Sequence, residues 1–311
     1  MNKEFPIIEE ISKKTGLLSN QVASVMITAP LRYKVFTIPK KTKGVRKIAQ
    51  PSVAVKMVQR HLIEILKLHL PVSSSCMAYV EGKSIRDNAE AHKSNNIILK
   101  LDFENFFNSI KFSDIEKHLR RHLPENISET EIKFLCHALT WSEQRSRDLC
   151  VCIGAPSSPF ISNSIMYDFD MHLQEFCSKN DLTYSRYADD LTFSSPSTIS
   201  KDQILGLVEL SLQKIDYPNI KINHNKTVLA SKASRRTITG INITPEGNLS
   251  TGRSLKRKIH SLCCSFIHGK LDTDQIEQLQ GYIAFVESIE PGFKRRLLTK
   301  YKQIPCRPPM D

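Results

Sequence analysis

Apolar residues recur at three- and four-residue intervals where the chain begins, with Ile7, Ile8 and Ile11 on one helix face and Val22, Val25 and Met26 on a second. The period then shortens to two: residues 33–38 alternate as a strand, 40–44 make a polar turn, and 45–49 return as a second strand, predicting a basic hairpin. Val55, Val58, Leu62, Ile65 and Leu66 restore the helical period over 53–70, and Pro71 closes it. Ile97, Leu99 and Leu101 alternate into Asp102, after which Phe103, Phe106, Phe107 and Ile110 follow helical spacing. Asp102 is therefore expected at a strand-to-helix junction.

Ser113 with Glu116 and Ser128 with Glu131 have the spacing of capping boxes that start two further helices. Ser158 is expected to cap a helix that begins at Pro159 and carries Ile161, Ile165, Phe169, Leu173 and Phe176 on one stripe. Residues 182–187 and 191–194 predict strands on either side of Ala188-Asp189-Asp190. Consecutive side chains on a flat strand face opposite ways, so two adjacent aspartates serve one site only where the chain turns, and a hairpin tip is expected there. A helix over about 200–215, strands over 220–222 and 238–243, and a mainly helical remainder broken at Gly269 and Gly281 complete an α/β (α+β) pattern without internal repeats.

Composition narrows the partners. Among 311 residues, 40% are hydrophobic and 24% charged, which suits a folded globular chain and excludes wholesale disorder. The apolar runs are a few residues long, far short of the ~20 that cross a bilayer. The net charge of +12 is concentrated: 31–60 holds nine Lys/Arg and no acid, 231–260 holds seven Lys/Arg and one Glu, and the rest carries −3. Two such segments fit the walls of a channel for a phosphate backbone, or equally two solvated faces. The eight cysteines, at 76, 136, 150, 152, 177, 263, 264 and 306, lack paired zinc-site spacing and are expected as reduced thiols in a cytoplasmic protein without membrane contact.

Three carboxylates carry the candidate chemistry: Asp102 at the end of a strand, and Asp189 and Asp190 at a hairpin tip. Like charges drawn together raise one another's pKa unless a cation neutralises them. Mg²⁺ suits the task because it takes one or two carboxylates and completes its shell with water and substrate phosphates. Paired ions of this kind serve nucleotidyl transfer and phosphodiester cleavage. The plainer alternative is three turn or cap residues.

The surrounding residues resemble reverse transcriptases. Tyr187-Ala188-Asp189-Asp190 is similar to their catalytic hairpin, Asp102-Phe103-Glu104-Asn105-Phe106-Phe107 to their first palm motif, and Gly154-Ala155-Pro156-Ser157-Ser158-Pro159 to their nucleotide-pocket loop, in the same order. Asn88-Ala89-Glu90-Ala91-His92 and Ile238-Thr239-Gly240 resemble motifs of the bacterial retron enzymes, and this likeness runs from about Tyr33 onward. Ile153 stands where many relatives have Gln, and Met77-Ala78-Tyr79 where Gly-Phe is frequent.

The resemblance implies a right-hand polymerase: N-terminal helices and fingers over 1–95, a palm over 96–240 with finger helices inserted at about 112–150, and a mainly helical thumb region over 241–311. It implies that Asp102, Asp189 and Asp190, with the backbone carbonyl of Phe103, hold two Mg²⁺ ions, for which Mn²⁺ can substitute. Lys40, Lys41, Arg46, Phe107, Gly154, Ala155 and Lys226 would contact the dNTP, with Phe107 under the deoxyribose and Lys226 near the pyrophosphate. Asn88, His92, Thr239, Gly240, Arg253, Lys256, Arg257 and Lys258 would contact RNA; a polar pair that packs the fingers is the alternative for Asn88 and His92. His118 and His122 are expected at the surface.

The implied activity is RNA-directed DNA synthesis. A structured noncoding RNA would act as template and primer through the 2′-hydroxyl of a guanosine, yielding a branched RNA-DNA hybrid (msDNA), with an effector protein as partner in antiphage defence. The alternatives are an RNA-dependent RNA polymerase, which usually lacks a bulky aromatic at the position of Phe107, and a non-catalytic RNA-binding scaffold built on the two basic segments.

Overall fold

The computed structural model describes residues 7–39, 44–143, 146 and 148–305. Along the chain, α1 (Ile7–Thr15) and α2 (Ser19–Thr28) precede the hairpin β1 (Tyr33–Pro39) and β2 (Val45–Pro51), and then come α3 (Val53–Leu66) and α4 (Ile85–Glu90). Next are β3 (Ile97–Asp102), α5 (Phe106–Ser109), α6 (Phe112–His122), α7 (Glu129–Leu139), β4 (Trp141–Ser142) and β5 (Leu149–Cys150). They are followed by α8 (Ser158–Ile165), α9 (Tyr167–Lys179), β6 (Thr183–Tyr187), β7 (Asp190–Ser195) and α10 (Lys201–Lys214). The remainder holds β8 (Val228–Ser231), β9 (Arg236–Ile238), β10 (Ile241–Ile243), β11 (Leu249–Ser250), α11 (Arg253–Ile267), α12 (Thr273–Ile289) and α13 (Phe293–Tyr301). The order β6-β7-β3-β8 makes a four-stranded sheet, with β3 and β7 as its inner strands.

The chain forms two compact units: Met1–Glu81, Lys100–Leu191 and Ser200–Thr227 in one, and Gly82–Leu99, Thr192–Ile199 and Val228–Asp311 in the other. In the first, the apolar stripes of α1, α2 and α3 bury Ile7, Ile11, Val22, Met26, Val58 and Leu62, because only mutual packing removes a one-sided stripe from water. A smaller cluster of Ala49, Trp141, Cys150, Cys152 and Ala155 lies under β2. In the second unit, α11, α12 and α13 gather around Ile259, Leu279, Ile283, Val286, Phe293 and Leu297. Ala89, Ile98, Ile238, Ile241, Ile243 and Ile289 form its other cluster.

Several local expectations change. The helix read over 53–70 stops at Leu66 and continues as turns. Helix α6 begins at Phe112, so its capping carboxylate is Asp114, which accepts from Lys111 N at 2.8 Å, in place of the Ser113–Glu116 pair. Ser157, one residue earlier than expected, is the N-cap of α8, with Pro159 in its first turn. The long stripe after Pro159 breaks at Met166 into α8 and α9, which leaves Phe176 exposed and buries Cys177 instead. Residues 220–222 supply a single bridge from Ile222 to Phe103 and no strand. The strand read over 238–243 is the hairpin of β9 and β10, because Thr239 (φ 47°) and Gly240 (φ 86°) both take the left-handed backbone of a two-residue turn. Gly281 lies inside α12, where the burial of Leu279, Ile283 and Val286 outweighs its low helix propensity.

Candidate active site

The end of β3 is pinned from two sides. Phe103 N donates to Asp189 O at 3.1 Å, and Asn223 N donates to Asp102 O at 2.7 Å. These bonds bring Asp102 beside the turn between β6 and β7, where Ala188 (φ 58°) reverses the chain and turns Asp189 and Asp190 toward it. Asp102 is buried, Asp189 half-buried, and Asp190 exposed.

The three carboxylates act on one another. Burial, and then the charge of Asp102, raise the Asp189 carboxyl above its ordinary value, against the pull of Lys226 and Arg46. Burial, Asp189 and Asp102 together push Asp190 up to about 6. Lys226 Nζ stands 2.7 Å from Asp102 Oδ1, and this hydrogen bond raises the ammonium's own pKa. Three acids facing one lysine make a negatively charged focus that fits a divalent cation. Among the described residues no group of three or more His, Cys, Asp or Glu side chains is placed so that it could hold a metal ion. Mg²⁺ needs only one or two carboxylates besides substrate phosphates and water.

Around the acids, Phe103, Phe106 and Phe107 form an aromatic ladder. Phe106 stacks on Phe103 at 5.8 Å between ring centroids, and half-buried Phe107 meets Phe106 edge-on at 5.3 Å. Left-handed Asn105 (φ 46°) resets the chain into the short α5 that carries Phe107. Arg46 is exposed on β2, and its charge is felt by both Tyr79 and Asp189. Gly154 (φ 123°) lies against Ala49, while the Ala155 side chain belongs to the cluster under β2, which leaves its backbone as the part that could meet a ligand. Lys40 and Lys41 lie outside the described residues.

The residues expected to contact RNA divide. Asn88 and His92 are 1% and 0% exposed, so they belong to the interior. His92 Nδ1 is 2.6 Å from Ser194 Oγ, and burial pushes its imidazole down to about 3. Thr239 and Gly240 form the β9–β10 turn, with Thr239 Oγ1 donating to Ile85 O at 3.3 Å. On α11, Arg253 and Arg257 are exposed. Lys256 pairs with Glu290 at 2.9 Å, and Lys258 donates to the Tyr282 hydroxyl at 2.7 Å. His118 is a correction: it is buried, between Ser164 Oγ (2.7 Å) and Tyr217 OH (3.2 Å).

Sequence reasoning missed a buried polar network beneath the hairpin. Arg186 and Asp170 are fully buried and paired, with Nη2 2.7 Å from Oδ2. The guanidinium also donates to Cys76 Sγ (2.8 Å), to Asn163 Oδ1 (3.2 Å) and, through Nη1, to Ala188 O (3.1 Å). Burial alone would lower the Arg186 pKa, but the charge of Asp170, its hydrogen bonds with the guanidinium, and Cys76 and Tyr184 together more than reverse this. The available signal was an arginine within an otherwise buried strand, since such a charge has to find a partner.

A four-stranded sheet whose β3 end and β6–β7 turn carry three interacting carboxylates, with an aromatic ladder following β3, fits a right-hand polymerase. Structural likeness agrees on the fold: the telomerase of Candida albicans, solved in complex with a TWJ fragment of telomeric RNA, aligns with TM-score 0.51 and 14% identity over 87% of this chain and 54% of that one. The reverse transcriptase (RNA-dependent DNA polymerase) family matches residues 38–243. The chain is 45% identical to the Escherichia coli retron Ec83 reverse transcriptase, over 86% of each sequence. It is 31% identical to the retron Ec73 reverse transcriptase of the same species over 92% of each. The chain belongs to the bacterial retron reverse transcriptases and is an RNA-directed DNA polymerase, of a family that uses divalent metal ions. Among the described residues no helix is long and apolar enough to cross a membrane.

Proposed function

We propose that the protein copies a structured noncoding RNA that is both its template and its primer, extending the 2′-hydroxyl of a guanosine into DNA so that a branched RNA-DNA hybrid (msDNA) results. The observation that carries this reading is the convergence of Asp102, Asp189 and Asp190, brought together by the 3.1 Å bond from Phe103 N to Asp189 O and the left-handed turn at Ala188. Two bound Mg²⁺ ions, or Mn²⁺ in their place, would activate the primer hydroxyl and stabilise the leaving pyrophosphate. Asp102, Asp189, Asp190 and the Phe103 carbonyl would hold them.

The chain's own side chains supply the rest. Arg46, with Lys40 and Lys41, grips the triphosphate by charge-assisted hydrogen bonds. The Gly154-Ala155 backbone lines the nucleotide, Phe107 lies under its deoxyribose, and Lys226 neutralises charge that gathers on pyrophosphate. Arg253 and Arg257 track the RNA backbone, whereas Lys256 and Lys258 orient α11 through Glu290 and Tyr282. Fingers over 1–95, palm over 96–240 with finger helices at about 112–150, and thumb over 241–311 belong to this reading. So do a cytoplasmic location and an effector partner in antiphage defence.

Primer extension by the full chain tests the chemistry. Asp189→Asn with Asp190→Asn is expected to abolish DNA synthesis while RNA binding persists, and unchanged extension would refute the assignment. Sequencing the nucleic acid that copurifies from the native host tests the product. A 2′-branched RNA-DNA junction is expected, and linear cDNA alone would overturn the proposed priming.

A further inference from the structure

Besides Asn105, Ala188 at φ 58° and Tyr79 at φ 59° hold left-handed backbone near the acids. Ala188 makes the hairpin turn. Tyr79 makes no hairpin, and a bulky residue in this region is strained. Burial does not repay the strain either, since Tyr79 remains 55% exposed. Strain that a structure holds without a packing reward is a mark of function.

The strain is imposed by neighbours. Met77 N donates to Arg186 O at 2.8 Å, and Asn163 Nδ2 donates to Ala78 O at 2.8 Å. Asn163 Oδ1 in turn accepts from Arg186 Nη1, the same nitrogen that donates to Ala188 O. One buried guanidinium and one buried amide thus fix both left-handed residues and set the Tyr79 ring relative to the catalytic turn. The ring lies 6.5 Å from that of Tyr187, tilted by 39°, so the two present neighbouring aromatic surfaces. Burial, Tyr187 and Asp189 raise the Tyr79 phenol while Arg46 lowers it, as expected of a ring within the field of both the acids and the basic hairpin.

We propose that Tyr79 contacts substrate: its exposed ring, beside Tyr187, stacks on the nucleotide at the primer terminus and holds that nucleotide's hydroxyl end toward Asp189. The inference rests on the reading of the chain as a primer-extending polymerase. Stacking suits this position because every base has a π-face, so one platform serves whichever nucleotide was added last. Hydrogen-bonded readout of a base edge would restrict the sequence copied.

The test uses the full chain with a primer–template duplex that carries 2-aminopurine at the primer terminus, whose fluorescence reports stacking. Wild type and Tyr79→Phe are expected to alter the probe signal on binding, and Tyr79→Leu and Tyr79→Gly to lose that change. The Leu and Gly variants should lower kcat/KM for primer–template about tenfold, with the KM for dNTP unchanged. Tyr79→Gly should melt no lower than wild type because glycine relieves the left-handed backbone, which separates contact from folding. Wild-type fluorescence and extension in the Leu and Gly variants would overturn the proposal, as would a change confined to the KM for dNTP. A wild-type protein that extends no primer yet shows the Tyr79-dependent signal would sink the polymerase reading and leave the contact standing.

Discussion

A Cβ placed on Gly154 would stand 2.6 Å from the carbonyl oxygen of Ala49 and 2.9 Å from Ile48 Cγ2. Ala49 N also donates to Ile153 O at 2.8 Å. The loop of Gly154 and strand β2 therefore meet backbone to backbone, and the sequence motif has a steric cause. Any side chain at 154 pushes the loop away from the hairpin that bears Arg46. Gly154→Ala, at φ 123°, is expected to cost about 1–3 kcal/mol, to lower the melting temperature by several degrees and to raise the KM for dNTP at least about fivefold. Thermal unfolding and steady-state extension check this, and a KM within twofold of wild type would contradict the coupling.

Phe107 supplies a separate test of sugar selection. Its ring meets Phe106 edge-on and is only half-buried, so shortening it leaves the Phe103–Phe106 stack in place. Phe107→Val should open space for a 2′-hydroxyl and raise the NTP-to-dNTP incorporation ratio about tenfold or more, with little loss of stability. Competition assays with matched dNTP and NTP measure the ratio. Equal use of both by the unaltered protein would remove Phe107 from this role.

Two interior histidines make stability depend on pH. Burial pushes His118 down to about 3, aided by the charges of His122 and Arg121, and burial alone does the same to His92. Both stay neutral in the folded chain, whereas in the unfolded chain they take up protons below about 6.5. Their contribution is intact above pH 6.5 and is lost as pH falls from there toward 3. At pH 5.5 each should cost about 1.4 kcal/mol. Urea unfolding at pH 7.5 and 5.5 should show the drop, and His118→Gln or His92→Gln should each flatten it. An unchanged slope in both variants would rule the histidines out.

The strands around the acids were legible because alternation and the placement of Asp102, Asp189 and Asp190 are local signals. His118 was legible in principle: on α6 it lies on the buried stripe with Ile115 and Leu119. The β9–β10 turn was hidden because Thr239 and Gly240 sit inside an apolar run short enough to pass for one strand. Asp170 and Arg186 were hidden for another reason: they lie on α9 and β6, and no periodicity links a helix position to a strand position.

That buried pair gives the most discriminating test. Asp170 balances the Arg186 guanidinium, and Arg186 Nη1 in turn holds Ala188 O at the catalytic turn. Removing one partner leaves a buried charge uncompensated, so Asp170→Asn should destabilise the chain by about 3–5 kcal/mol. The double variant Asp170→Leu with Arg186→Met removes both charges and should regain most of the lost stability. It still deprives Ala188 O of its donor, and a loosened turn misplaces Asp189 and Asp190 by fractions of an ångström. Extension should therefore remain about 100-fold below wild type, with the KM for dNTP little changed. Melting curves beside kcat separate the two effects. A double variant restored in both would show that the pair serves folding alone.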